Sequence, residues 1–288
     1  MNKIHTHLSR RHLISTIATG SGLGFCHSFL PGSVFASPSR VWKGEIFGTP
    51  LHIRFHDSQK PDHPLDTIFP QFLEQIENLD PTSDQSQFFY LNTYGKLDNP
   101  SDILVRFMHK ILYYHKTTDG VFDPALSSAR YAQNSVSDFR SLSVQPHKIA
   151  LANMIGQLDT GGIMHGFILD QFAIFLEKNN YHSFELSLGN IHLTSSKINQ
   201  NIDRQHQATA HLDLTRETIF HPRNQSQTSA YKTIEVIMEN ASDADVFSTV
   251  FAMMDCGQIS RILARSGGGT AILTHADSSC SRQVIRIL

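Results

Sequence analysis

Basic excess is missing from this sequence. Its 288 residues carry 24 lysines and arginines against 26 acidic residues, a formal net charge of -2. A chain so balanced offers no electrostatic footprint for a nucleic-acid backbone. Long apolar runs are missing too. The apolar stretch from Thr16 to Gly32 is broken too often by Gly, Ser and His for a membrane-spanning helix. Cysteine is scarce. Cys26, Cys256 and Cys280 do not make a disulfide framework, although Cys256 and Cys280 can pair in an oxidising compartment. The 17 histidines are scattered, with no His-Glu-x-x-His spacing of a zinc site. What is present fits a soluble globular chain: 40% hydrophobic and 17% charged residues, enough for one large domain or two small ones.

The N-terminus carries an address. Arg10 and Arg11 stand in "SRRHLIS", ahead of the weak apolar region. "SVFASPS" then places Val34 and Ala36 in an A-x-A-like cleavage pattern. Paired arginines in this setting resemble a twin-arginine export signal. Residues 1–36 are therefore expected to be the signal, residues 37–288 the mature domain, and the periplasm the destination. Phe25 occupies a position before Cys26 where lipoprotein processing needs a small residue, so lipidation is not expected.

Periodicity gives a coarse map. Gly44–His56 reads as a strand pair joined at Gly48. Leu65, Ile68, Phe72, Ile76 and Leu79 recur at helical spacing. Ser101–Gly120 is the clearest helix, with Ser101 as N-cap and an apolar stripe of Leu104, Phe107, Met108, Ile111 and Leu112. "FILDQFAIFLEKN" reads as a third helix and "HSFELSLGNIHLTSS" as a strand. "KTIEVIME" is a strand, "DADVFSTVFAMMDCG" a helix ending at Gly257, and "TAILTH" and "RQVIRIL" are closing strands. Helices and strands mix without strict alternation, which indicates an α+β fold. "SGGGT" lacks the Lys and helix of a phosphate loop and reads as a turn.

Three segments can carry chemistry. "LDTGGIMHGFILD" (Leu158–Asp170) sets a carboxylate and two glycines before a helix. Such a turn can cradle phosphate at the helix N-terminus, or simply connect a strand to a helix. "TTDGVFDPAL" (Thr117–Leu126) reads as a helix stop with a rigid, Pro-directed exit. In "ASDADVFSTV", Asp245 and Thr249 are four apart and share a helix face. A carboxylate and a hydroxyl there can supply hard oxygen ligands to Mg2+ or Ca2+. The same acidic residues also suit plain capping, by Ser242 or Asp243.

The order of these blocks resembles the FAD:protein FMN transferase family, often called the ApbE family. "FGT", "TTDGVFDP", "LDTGGIMHGFILD", "SLGNI", "HPR" and "DADVFST" follow one another across Gly44–Leu288. The resemblance implies an α+β flavin transferase fold, FAD as substrate and Mg2+ as cofactor. It implies cleavage of the FAD pyrophosphate, transfer of FMN to a Thr or Ser of an acceptor flavoprotein, and release of AMP. Any association with the inner membrane would run through that partner. By position, Gly162 (through its carbonyl), Asp245 and Thr249 match metal ligands. Phe47, Thr82, Asp159, His165 and Ile219 match the flavin-contacting positions.

The departures fall in the site. Phe47-Gly48-Thr49 replaces the family's M-G-T, and Thr82 stands for the tyrosine of its S-x-Y loop. His165 takes the place of a Lys or Glu. Ala208-Thr209-Ala210-His211 replaces A-T-S-G, and Gly189-Asn190-Ile191 replaces G-G-D. The H-I-I-D-P-R-T-G block reads Thr218 to Gln225, so its histidine becomes Thr218 and its aspartate His221. His221 is the candidate base, because an imidazole titrates near neutrality; His165 and His211 are further candidates. The alternative is a degenerate, non-catalytic flavin-binding or assembly protein of the same fold.

Overall fold

The computed structural model describes residues 40–56, 64–124, 142–151, 158–197, 204–215, 229–276 and 281–288. Among these residues, eleven strands and six α-helices follow in chain order. The strands are β1 Arg40–Ile46, β2 Thr49–Phe55, β3 Lys96–Asp98, β4 Leu142–Gln145, β5 Lys148–Leu151, β6 Phe184–Leu188, β7 Ile191–Lys197, β8 Arg204–Asp213, β9 Tyr231–Met238, β10 Gly269–His275 and β11 Arg282–Ile287. The helices are α1 Leu65–Ile76, α2 Gln87–Tyr94, α3 Asp102–Thr117, α4 Met164–Lys178, α5 Ala241–Phe251 and α6 Cys256–Arg265.

Eight strands form one antiparallel sheet in the order β1-β2-β6-β7-β8-β9-β10-β11. Its residues alternate, as a sheet covered on one face requires. Leu51, Ile53 and Phe55 on β2 are buried, while His52 and Arg54 between them are exposed. The covered face carries α4 on β6 and β7, and α5 on β7, β8 and β9. Aromatic rings fill the space above. Phe69 and Phe72 of α1 meet Phe172 of α4, at 5.7 and 4.5 Å between centroids. A small sheet, β3-β5-β4, lies apart with α2 beside it.

Most expected elements stand: the β1–β2 pair, α1, α3, α4, β9, β10 and β11. Two readings are corrected. "HSFELSLGNIHLTSS" is a hairpin of β6 and β7, because Gly189 adopts φ +60° and turns the chain before Asn190. The helix expected to run to Gly257 ends at Phe251; Asp255 caps a second helix, α6, through a reciprocal box with Gln258. Two alternating patterns separated by a short polar turn read as one element in a linear scan. Ser101 does sit at the N-cap of α3, but its hydroxyl makes no capping bond and is buried without a partner.

Candidate functional site

The glycine turn and the acidic helix come together. In the stretch before α4, Asp159 is exposed, and its Oδ1 accepts the Gly161 amide at 2.9 Å. The Asp159 amide donates to Pro124 O at 2.7 Å, which ties the turn to the rigid exit of "TTDGVFDP". Asn92 of α2 clamps Leu158 by donating to its carbonyl at 3.2 Å and accepting its amide at 3.1 Å. The turn is thus held on both sides before α4 begins.

Gly162 faces Thr249. A Cβ placed on Gly162 would lie 3.2 Å from Thr249 Oγ1, so the backbone and the hydroxyl are neighbours. At Gly166, one turn on, α4 packs against α5 with no side chain between them. A Cβ there would meet Ala241 O at 2.4 Å and Asp245 Cβ at 2.8 Å. Because no side chain intervenes, the Gly166 amide donates to Asp245 Oδ2 at 2.9 Å. Every residue of α5 is buried except Thr249, which is half-open. Asp245 and Thr249 therefore stand one turn apart at the helix face that meets the glycine turn. Three of the expected site residues, Gly162, Asp245 and Thr249, share one locality.

The capping expectation for α5 is corrected. Neither Ser242 nor Asp243 caps it, and Asn240 at the N-cap makes no side-chain capping bond. The cap comes from another helix: Asp170 of α4 accepts the Ala241 amide at 2.8 Å, the Ser242 amide at 3.0 Å, and the Ser242 hydroxyl. Asp243 is occupied elsewhere, accepting from Tyr114 Oη at 2.6 Å and from Asn240 Nδ2 at 3.0 Å. Tyr114→Phe is expected to destabilise the chain by about 1–3 kcal/mol, since it strips a donor from a buried carboxylate. A urea melt reads this directly; an unchanged midpoint would show the bond to be dispensable.

The electrostatics follow from burial. Burial pushes the Asp245 carboxyl up to about 7; the Gly166 amide opposes this and the Asp170 carboxylate adds to it. Burial also raises Asp170, against the pull of its Ser242 and Ala241 bonds. The Tyr114 phenol is raised well above its ordinary value by burial and then by Asp243. Burial disfavours the ionised form of Asp245, and a bound cation would favour it. Among the described residues no three His, Cys, Asp or Glu side chains gather as metal ligands. The donor set on offer is mixed instead: carboxylate, hydroxyl and glycine main chain, all hard oxygens of the kind Mg2+ accepts.

His165 sits next to this locality, between two turns of the large sheet. Its Nε2 lies 3.3 Å from Thr49 Oγ1. A Cβ on Gly189 would be 3.0 Å from its Nδ1. Burial lowers the His165 pKa below the ordinary imidazole value. Phe47 precedes Gly48 in the β1–β2 turn, and both have positive φ, +49° and +80°. That is the pattern of a two-residue type I′ hairpin loop, in which a bulky residue at the first position is strained. Asn190 exchanges bonds with His211, its Nδ2 donating to His211 O at 2.8 Å. The pairs Leu51–Leu188 and Ile191–Ala210 bring these two turns and His211 of β8 to the same end of the sheet.

Thr82 is on an exposed loop, and its amide and hydroxyl both donate to Asp80 Oδ1. Ile219, Thr218 and His221 lie outside the described residues, as do Cys280 and residues 1–36. Two residues that matter to the geometry, Gly166 and Asp170, carried no assigned role in the sequence reading. Their signal was present: a glycine inside a helix four residues before a carboxylate on an otherwise apolar face.

An antiparallel sheet covered by helices, with a glycine turn against a buried carboxylate, defines an α+β protein. A model of the ApbE family matches residues 47–213, more than half of the sequence. The chain belongs to the ApbE family. No curated protein matches it. Solved structures do. The flavin transferase ApbE from Vibrio cholerae aligns with TM-score 0.70 at 12% identity, over 86% of this chain and 97% of that one. The apo flavinyl transferase ApbE from Pseudomonas stutzeri aligns with TM-score 0.69 at 13% identity, over 88% and 96%. The ApbE protein from Thermotoga maritima gives TM-score 0.63 at 16% identity, over 86% and 96%. At such identities the likeness speaks for the fold.

Proposed function

We propose that this chain is an exported FAD:protein FMN transferase. The single observation that carries the reading is the meeting of Gly162, Asp245 and Thr249 where α4 begins. The family membership and the fold shared with two flavin transferases support it. Mg2+ would be held by the Asp245 carboxylate, the Thr249 hydroxyl and the Gly162 carbonyl. When bound, it supplies charge neutralisation for a pyrophosphate under attack.

The residues of the chain do the rest. Gly166 donates its amide to Asp245 and keeps that carboxylate aimed at the turn. Asp159, Phe47, Thr82, His165 and Ile219 would line the flavin side. His165, kept neutral by burial, binds without adding charge. An acceptor hydroxyl forms a bond to the FMN-side phosphorus, and the bond from that phosphorus to the AMP phosphate breaks. AMP leaves with the bonding pair. The hydroxyl proton passes to a base, for which His221 is the candidate. With water in place of the acceptor, the products are FMN and AMP. Export through the twin-arginine route to the periplasm, with residues 37–288 as the mature domain, completes the proposal. Arg10 and Arg11 carry it.

The test is incubation of the mature chain with FAD and Mg2+, with AMP and FMN separated by chromatography. Magnesium-dependent AMP is the expected result. FAD bound without AMP would overturn catalysis and leave the non-catalytic flavin-binding reading, which the replaced motif histidine at Thr218 favours.

Phe47 separates binding from folding. Phe47→Asn relieves a strained left-handed residue, worth about 1–2 kcal/mol, and loses a similar amount of side-chain packing. Stability is expected to stay within about 1 kcal/mol, while FAD affinity falls about tenfold. Fluorescence titration against a thermal melt measures both. Unchanged affinity would remove Phe47 from the flavin site.

A further inference from the structure

We infer that Asp170 is a positioning residue for the cation site, acting through α5 without touching the cation. The inference rests on the reading of Asp245 and Thr249 as ligands. Gly166 and Asp170 are four apart on α4, so they share the face that meets α5. The two make different bonds to the same helix. Gly166 donates to the Asp245 side chain at 2.9 Å. Asp170 accepts from the first two amides of α5 and from the Ser242 hydroxyl.

The geometry explains why both are needed. A helix presents its first amides unpaired, and a carboxylate that takes two of them fixes the rotation of that end about its axis. Asp245 follows one turn after Ser242 on the same helix, and Thr249 one turn after Asp245. Rotation of α5 would swing both away from Gly162. The Gly166 bond reaches only the Asp245 side chain, whereas the Asp170 bonds hold the backbone at the start of the helix. Asn240, the residue at the N-cap position, directs its amide to Asp243 instead of the helix end. The cap that a local residue usually provides has been moved to the partner helix. Helix pairing and ligand placement thereby become one feature.

The measurement is Mn2+ binding by the full mature chain, read from the loss of the free-ion paramagnetic resonance signal. Asp170→Asn puts an amide donor against the α5 donors. It is expected to weaken Mn2+ binding by about 10- to 100-fold, the range for outer partners of a metal ligand. Its melt should stay cooperative, and its FAD affinity without cation should stay near that of the parent. A cap with a purely structural role would lower the melting temperature and leave Mn2+ affinity unchanged, and that result overturns the inference. Ser242→Ala keeps the backbone cap and removes one bond. It is expected to weaken Mn2+ by about threefold. Should Asp170→Asn not fold, the Ser242 variant decides, with unchanged affinity counting against positioning. A parent chain that binds no Mn2+ would overturn the cation site itself, and the positioning role with it.

Discussion

Asp245→Ala is expected to abolish magnesium-dependent FAD cleavage while leaving a folded protein. The carboxylate is the one formal negative charge in the proposed donor set. A hydroxyl and a carbonyl alone hold Mg2+ weakly, because the ion dehydrates reluctantly and favours carboxylate oxygen. A bound cation contributes several kcal/mol to a pyrophosphate transition state, so its loss corresponds to about a thousandfold or greater fall in rate. Stability should move the other way or little. Asp245 is buried, its carboxyl is pushed up to about 7, and a single amide opposes that burial. Replacing it removes an unfavourably placed acid, at the cost of leaving the Gly166 amide unpaired. Turnover measured beside a thermal melt checks both halves. Turnover retained near the parent rate would remove Asp245 from the site.

Gly166→Ala is the second large effect, and it works through shape. The added methyl would sit 2.4 Å from Ala241 O and 2.8 Å from Asp245 Cβ. Both neighbours are anchored. Ala241 belongs to the backbone at the capped end of α5, and Asp245 Cβ cannot rotate away. The helices must separate. Alanine gains about 1 kcal/mol of helix propensity over glycine, but overpacking costs about 1–3 kcal/mol, and more where backbone must shift. The net expectation is a loss of about 2 kcal/mol and a melting temperature lower by about 4–8 °C. Cation affinity should fall as well, since the Asp245 bond depends on the close approach. A variant as stable as the parent would show that α4 and α5 can part without consequence.

The fold class is legible in the mixture of helical and alternating patterns, and the candidate site only in separate pieces. The shared face of Asp245 and Thr249 is legible because a helix puts residues four apart on one side, while their reading as ligands comes from the family resemblance. Gly162 enters through its place in the family's glycine block, because two glycines before a helix also suit an ordinary strand-to-helix turn. Nothing local told that these pieces meet. Their contact depends on Gly166, whose meaning is the absence of a side chain opposite Ala241, a residue seventy-five positions away. Asp170 was hidden for the same reason: its partners are amides of another helix, and amides have no sequence signature. The end of α5 at Phe251 was missed because Met253 and Met254 continue an apolar pattern through the break. The β6–β7 turn was missed because Gly-Asn between two alternating runs was read as part of one strand, although it is itself a hairpin signal. β8, α2 and α6 were not anticipated. β8 is polar on its outer face, and only its partners β7 and β9 make it a strand. Thr82 rested on position alone, and in the structure it is an exposed turn residue bonded to Asp80.

The central claim is that a divalent cation and FAD meet between the glycine turn and α5. A crystal of the mature chain grown with FAD and Mn2+ tests it through the anomalous scattering of manganese. One peak is expected, about 2.1 Å from Asp245, Thr249 and the Gly162 carbonyl oxygens, with the FAD pyrophosphate against it. A manganese peak elsewhere, or FAD bound with no peak at these three oxygens, would contradict the account.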